Sequence, residues 1–90
     1  MLSLKAVTQF KKDIKKYQHK KPVLAELEKV ILLLKTQNKL PEKHKDHFLI
    51  CNYSGMRECH IKPDVLLVYW IDEAEDLLYL ERIGSHSELF

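Results

Sequence analysis

Chain breakers are scarce here: two glycines and three prolines among 90 residues. That scarcity predicts regular elements joined by short loops. Cysteine is equally sparse. Cys51 and Cys59 stand without a CxxC pair, so a disulfide framework is excluded, and reduced thiols in a cytoplasmic protein are expected. Long apolar runs are missing too. The longest, "VLLVYWI" from Val65 to Ile71, falls far short of the roughly 18 residues a spanning helix needs, so no membrane partner is expected. The opening "MLSLKAVTQFKK" lacks the basic-then-apolar layout of a secretory signal. With no internal repeat, low-complexity tract or linker, residues 1–90 are expected to form one small domain.

What is present is charge, unevenly spread. Residues 1–64 carry 14 Lys and Arg against 7 Asp and Glu, whereas residues 65–90 carry one arginine against six acids. The basic part either faces an anionic partner such as nucleic acid or simply solvates two helices. An apolar share of 46% is that of an ordinary globular domain.

Periodicity supplies the architecture. "LSL" at the start alternates and predicts a short edge strand. From Thr8, a plausible N-cap, Val7, Phe10, Ile14 and Tyr17 recur at helical spacing, with Lys11, Lys12, Lys15 and Lys16 largely opposite. Pro22 opens a second helix whose stripe is Leu24, Leu27, Ile31 and Leu34, widened by Val23 and Val30; Asn38 is its expected stop. After Asp46 the period becomes two. "FLICNY", "RECHI", "VLLVYWI" and "LLYLERI" read as four strands joined by "SGM", "KPD" and "DEAED" turns. Short turns in succession imply an antiparallel meander, with Val65 to Ile71, apolar on both faces, as its central strand. The expected class is α+β: an N-terminal helix hairpin packed on a four-stranded antiparallel sheet.

The five histidines decide what chemistry is available. His19 sits in a basic helix end and reads as solvated, whereas His44, His47, His60 and His86 fall at strand ends and loop entries, as does Asp64. A meander gathers such positions along one edge. Each of them alone has an ordinary structural explanation, so the case rests on the set. Two chemistries suit it. One is metal binding, with His44 and His47 of "HKDH" joined by His60 and Asp64, a weak signal without tight HExxH spacing. The other is metal-free cleavage of RNA. A base takes the 2′-hydroxyl proton, an acid protonates the leaving 5′-oxygen, and a cation holds the charge growing on phosphorus. Histidine serves either proton transfer near neutral pH. Arg82, four residues before His86, is the natural cation because its fork matches phosphate oxygens.

Three segments, "KDHFL", "GMRECHIKPDVLLVYW" and "LERIGSHSELF", together resemble the YafQ branch of the RelE/ParE superfamily of bacterial type II toxins. The helix pair before them and the chain length agree with that family. The resemblance implies a ribosome-dependent mRNA endoribonuclease, held in check by a cognate antitoxin and needing no metal or organic cofactor. It implies mRNA and the ribosome as partners, and operator DNA only through the antitoxin complex. By resemblance His47, His60, Asp64 and His86 are the catalytic set. Arg82 holds phosphate, Phe90 contacts RNA, and Lys45 and Arg57 join them as RNA- or phosphate-binding candidates. His86 is assigned as general acid, with Asp64 or His60 as base. Cys51, Tyr53 and Met56 depart from the family pattern, which bears on base stacking and codon preference. Cys51 and Cys59 are expected near each other, in a packing role.

Other classes remain in view. A toxin that binds DNA gyrase, as the ParE branch does, would not need this gathering of histidines. A plain RNA-binding module using the lysine-rich helix face from Lys11 to Lys21 would keep its binding without them.

Overall fold

Where the apolar period switches from helical to alternating, the chain passes from helix to sheet. The structure, a computed structural model, describes residues 1–49 and 55–90. Strand β1 (Ser3–Ala6) leads into helix α1 (Thr8–Ile14), a 3₁₀ turn (Lys15–Tyr17) and helix α2 (Lys21–Lys35). A second 3₁₀ turn (Glu42–His44) precedes β2 (His47–Phe48), β3 (Arg57–Lys62), β4 (Val65–Asp72), β5 (Leu77–Gly84) and a one-turn helix α3 (His86–Leu89). The α+β class is as expected.

The sheet has five strands in the order β1-β5-β4-β3-β2, with β4 in the middle as its apolar run predicted. Strands β2 to β5 form the expected antiparallel meander. To these four strands β1 adds the short edge strand anticipated at "LSL", pairing parallel with β5 from Ser3↔Leu77 to Ala6↔Leu80 and bringing the sheet to five. Its anchors explain why it does not fray. Leu2 is buried and donates its N–H to the Lys35 carbonyl, and Ser3 N–H bonds the Asp76 carbonyl, both at 2.8 Å.

Two helix ends also differ from expectation. Thr8 is already helical, and the N-cap is Val7, which keeps an extended backbone because its N–H still pairs with the Leu80 carbonyl at 3.1 Å. Helix α2 does open with Pro22 in its first turn, but it stops at Lys35, before Asn38. Gln37 there takes φ 56°, and the N–H groups of Gln37 and Asn38 bond the carbonyls of Leu34 and Leu33. That is a Schellman closure, achieved without the usual glycine.

Both helices cover one face of the sheet. The buried stripe of α2 is Val23, Leu27, Val30 and Leu34, so it is rotated from the expected one, leaving Leu24 and Ile31 only half-buried. It packs with Phe10 and Tyr17 on Cys59, Ile61, Leu67, Tyr69, Leu78, Leu80 and Ile83. A smaller cluster lies on the other face, where Leu89 of α3 covers Leu66 and Val68. Of the expected strand "FLICNY" only its start is described as strand; residues 50–54, with Cys51 and Tyr53, lie outside the described residues. Cys59 is fully buried, and desolvation pushes its thiol up, which fits packing rather than reactivity.

Leu67, fully enclosed on β4, tests this core. Leu67→Ala should cost about 3 kcal/mol of unfolding free energy in a denaturant titration.

Candidate functional site

Alternation along β3 turns Cys59 and Ile61 toward the helices, and Glu58 and His60 toward the opposite face. On that face Glu58 pairs across to Val68 and His60 to Leu66, beneath α3. A register shift between His60 and Lys62 marks a bulge at the end of β3, and Asp64 follows in the exposed turn to β4. Bulges re-aim side chains at functional edges.

His86 reaches the same place through α3. A one-turn helix has no intrinsic stability, and three contacts hold this one. Ser85 and Glu88 form a reciprocal capping box, Glu88 also pairs with Lys16 at 2.7 Å, and Leu89 is buried on the sheet. Lys16, with the two Ser85 hydrogen bonds, holds the Glu88 carboxyl well below its usual range, at about 2. Gly84 lets the turn fold back so tightly: a Cβ there would sit 3.2 Å from Leu89 Cδ2 and 3.3 Å from Glu88 Oε1. The S-x-x-E capping signature at Ser85 was legible in the sequence and is the signal that would have located α3.

The outcome is a depression of about 520 Å³ walled by Glu58, His60, Pro63, Asp64, Leu66 and His86. Three of the four expected catalytic residues thus come together. The fourth, His47, stands beside them on β2. Its Nδ1–H donates to the Lys45 carbonyl at 2.6 Å, and its Nε2 faces Glu58 Oε1 at 3.5 Å. His60 Nε2 lies 4.0 Å from the same oxygen. Glu58, buried and shared by two imidazoles, is the residue that sequence reasoning missed. A lone strand glutamate carries no local signal.

The phosphate-binding candidates fare differently. Arg82 does not wall the depression; its Nε and Nη2 donate to Asp13 of α1 at 2.7 and 3.3 Å. Asp13 is 3% exposed, and it also accepts from Gln9 Nε2 and from Ile83 N–H. Burial works against that charge, but Arg82, Gln9 and Ile83 outweigh it and keep the carboxyl below its ordinary value. Past the Ala6↔Leu80 pair β1 no longer covers β5, and Asp13 takes up the edge N–H of Ile83 in its place. Arg57 is held by Asp46 through two hydrogen bonds, with Tyr69 donating its hydroxyl to the same carboxylate, and its guanidinium lies 4.2 Å over the Phe48 ring. Lys45 is exposed at a left-handed turn, φ 47°. Phe90 is half-exposed rather than in the core, its ring 5.2 Å from that of His86.

His44 does not share a site with His47. It is buried, donating Nδ1–H to the His60 carbonyl at 2.6 Å and turning Nε2 to Glu26 at 3.5 Å. Among the described residues no group of three or more His, Cys, Asp or Glu is arranged to hold a metal ion. Nor is any described helix long and apolar enough to cross a membrane.

A small mixed sheet, helices on one face and an imidazole-carboxylate depression on the other define the class of RelE-like bacterial toxins, and solved structures agree. A metal-bound toxin from Helicobacter pylori superposes with a TM-score of 0.92 at 46% identity over the whole of both chains. The YafQ chain of the Escherichia coli DinJ-YafQ complex does so at 0.85 and 33% identity, covering 100% of this chain and 99% of that one. The chain belongs to the family described as the bacterial toxin of type II toxin-antitoxin systems, YafQ, whose profile matches residues 2–90. It is also 36% identical over 83 residues to the mRNA interferase toxin YafQ of Escherichia coli strain B, covering 91% of this chain and 88% of the relative.

The Asp13 contacts make stability depend on acid in a defined direction. A carboxyl held low in the native state contributes fully above its unfolded value near 4, and the contribution is lost as pH falls through the native value. Asp13→Ala should therefore cost about 3 kcal/mol at pH 7, where it removes the buried acceptor shared by Arg82, Gln9 and the Ile83 N–H, and much less near pH 2. Urea titrations at the two pH values read the difference.

Proposed function

We propose that this chain is the toxin of a type II toxin-antitoxin pair, a metal-independent endoribonuclease that cuts translated mRNA on the ribosome in the cytoplasm. The observation that carries the reading is the convergence of His60, Asp64 and His86 on one depression, in a chain whose relative is named an mRNA interferase.

The depression contains what acid-base cleavage requires. His86, at the open mouth on α3, protonates the leaving 5′-oxygen. His60 takes the 2′-hydroxyl proton, and Glu58, 4.0 Å from its Nε2, balances the charge that arrives with it. Asp64, in the exposed turn beside it, orients the ribose. His47 completes the polar wall on the other side of Glu58. Arg82, ion-paired with Asp13 at the end of β5 and off the walls of the depression, holds the exit of the chain toward His86 rather than the phosphate. Phe90 lies against His86, where its exposed ring can stack on a base. His47 and His60 are set on strands and His86 on a capped turn, so their geometry is assembled before RNA arrives. By likeness to the DinJ-YafQ complex, the partner that silences it is a co-expressed antitoxin.

Primer extension on an actively translated mRNA tests this reading. Wild-type protein should produce discrete cuts only when ribosomes are present, and protein treated with EDTA and then desalted before it is added should cut equally well. His86→Ala should lower cleavage at least 100-fold, the usual scale for losing a general acid, with an unchanged melting temperature. Full cleavage by that variant would overturn the assignment.

A further inference from the structure

The depression that carries the catalytic groups is poorly charged for its proposed task. Its lining includes the carboxylates of Glu58 and Asp64 and, among the described residues, no lysine or arginine. An RNA strand brings one negative charge per nucleotide. Much of the affinity for nucleic acid comes from lysine and arginine neutralising phosphates, so the strand must be held beside this depression rather than in it.

A second cleft meets that need. It has a volume of about 350 Å³, lies at the same end of β3, and shares His60 and Pro63 with the catalytic depression. That size is within the range of sites that hold a small ligand unit. Lys43, Lys45 and Lys62 line it, against a single glutamate, Glu26. Lys43 pairs with Glu26 at 3.3 Å. Among the described residues neither Lys45 nor Lys62 has a carboxylate within salt-bridge distance, leaving two cations for a ligand. The back of the cleft is rigid: buried His44 ties the His60 carbonyl to Glu26 of α2. The left-handed turn at Lys45 and the bulge at the end of β3 set the two lysines at its rim.

We infer that the Lys45–Lys62 cleft is the subsite for the RNA backbone next to the cut, binding a phosphodiester of the neighbouring nucleotide while His60, on the wall common to both hollows, works on the scissile one. This subsite rests on the nuclease reading above and adds to it the place where the strand is gripped. It reads phosphate rather than base, so it contributes affinity without sequence preference.

The test is binding of a labelled single-stranded RNA oligonucleotide to the full chain carrying His86→Ala, titrated across salt concentrations by fluorescence anisotropy. Adding K45Q and K62Q should weaken binding about tenfold at low salt. It should also flatten the slope of log affinity against log salt by about 1.4, two single-strand contacts at about 0.7 each. A parallel variant, K11Q with K12Q on the exposed face of α1, should leave both quantities nearly unchanged. The inference is overturned if the parent binds no RNA, if the cleft variant keeps its slope, or if only the α1 variant loses it. Cleavage of translated mRNA by wild-type protein is scored separately. Intact cleavage with an unchanged slope removes the subsite alone, and a flattened slope without cleavage removes the nuclease reading while the cleft remains an RNA grip.

Discussion

One buried carboxylate ties the two halves of this molecule together. Asp13 lies on the inner side of α1 and bonds the guanidinium of Arg82 and the backbone N–H of Ile83, both on β5. A charge at 3% exposure is costly unless every lone pair finds a donor. Here donors come from Gln9, Arg82 and Ile83. The arrangement closes the sheet edge where β1 ends, docks α1 over β5, and fixes the direction in which the chain leaves β5. All that follows β5, including His86, inherits its position from that exit.

A second set of contacts then turns the exit into a site. Gly84 lets the backbone double back, the Ser85–Glu88 box closes one helical turn, and Lys16 from the helix side reaches across to Glu88. Leu89 is covered against Leu66 and Val68, the strand pair of His60 and Glu58. Packing and the candidate site thus share one face of the sheet: apolar residues under α3 support it, and the polar residues beside them are the ones proposed to move protons. On the far wall His44 gives up both ring nitrogens to internal partners. A histidine in that role steadies its neighbour rather than reacting.

Much of this was legible in the residues, for physical reasons. The strands of the meander announce themselves because a half-buried strand must alternate, and β4 because a central strand must be apolar on both faces. Pro22 marked the start of α2 because its missing N–H costs nothing there. Edges and ends were harder. Whether "LSL" pairs at all, and in which direction, depends on distant Lys35 and Asp76 carbonyls. The stop of α2 needed Gln37 in a conformation that glycine normally takes. Places at strand ends made a grouping of His60, Asp64 and His86 one option among several, and the family resemblance singled it out. The roles of Asp13 and Glu58 did not follow from anything local, since each is defined by partners far along the chain. Arg82 shows the limit most clearly. Its residue type indicates phosphate, but only the fold reveals that part of its fork belongs to Asp13.

The proposed chemistry turns on attack of the substrate's own 2′-hydroxyl on phosphorus, with no water or metal-bound hydroxide as nucleophile. The chemical ends of the cut RNA test it most directly. Mass spectrometry of the fragments should find a 2′,3′-cyclic phosphate, or the 3′-phosphate it opens to, on one side and a 5′-hydroxyl on the other. Fragments ending in a 3′-hydroxyl and a 5′-phosphate would mean that water was the nucleophile, and would contradict it.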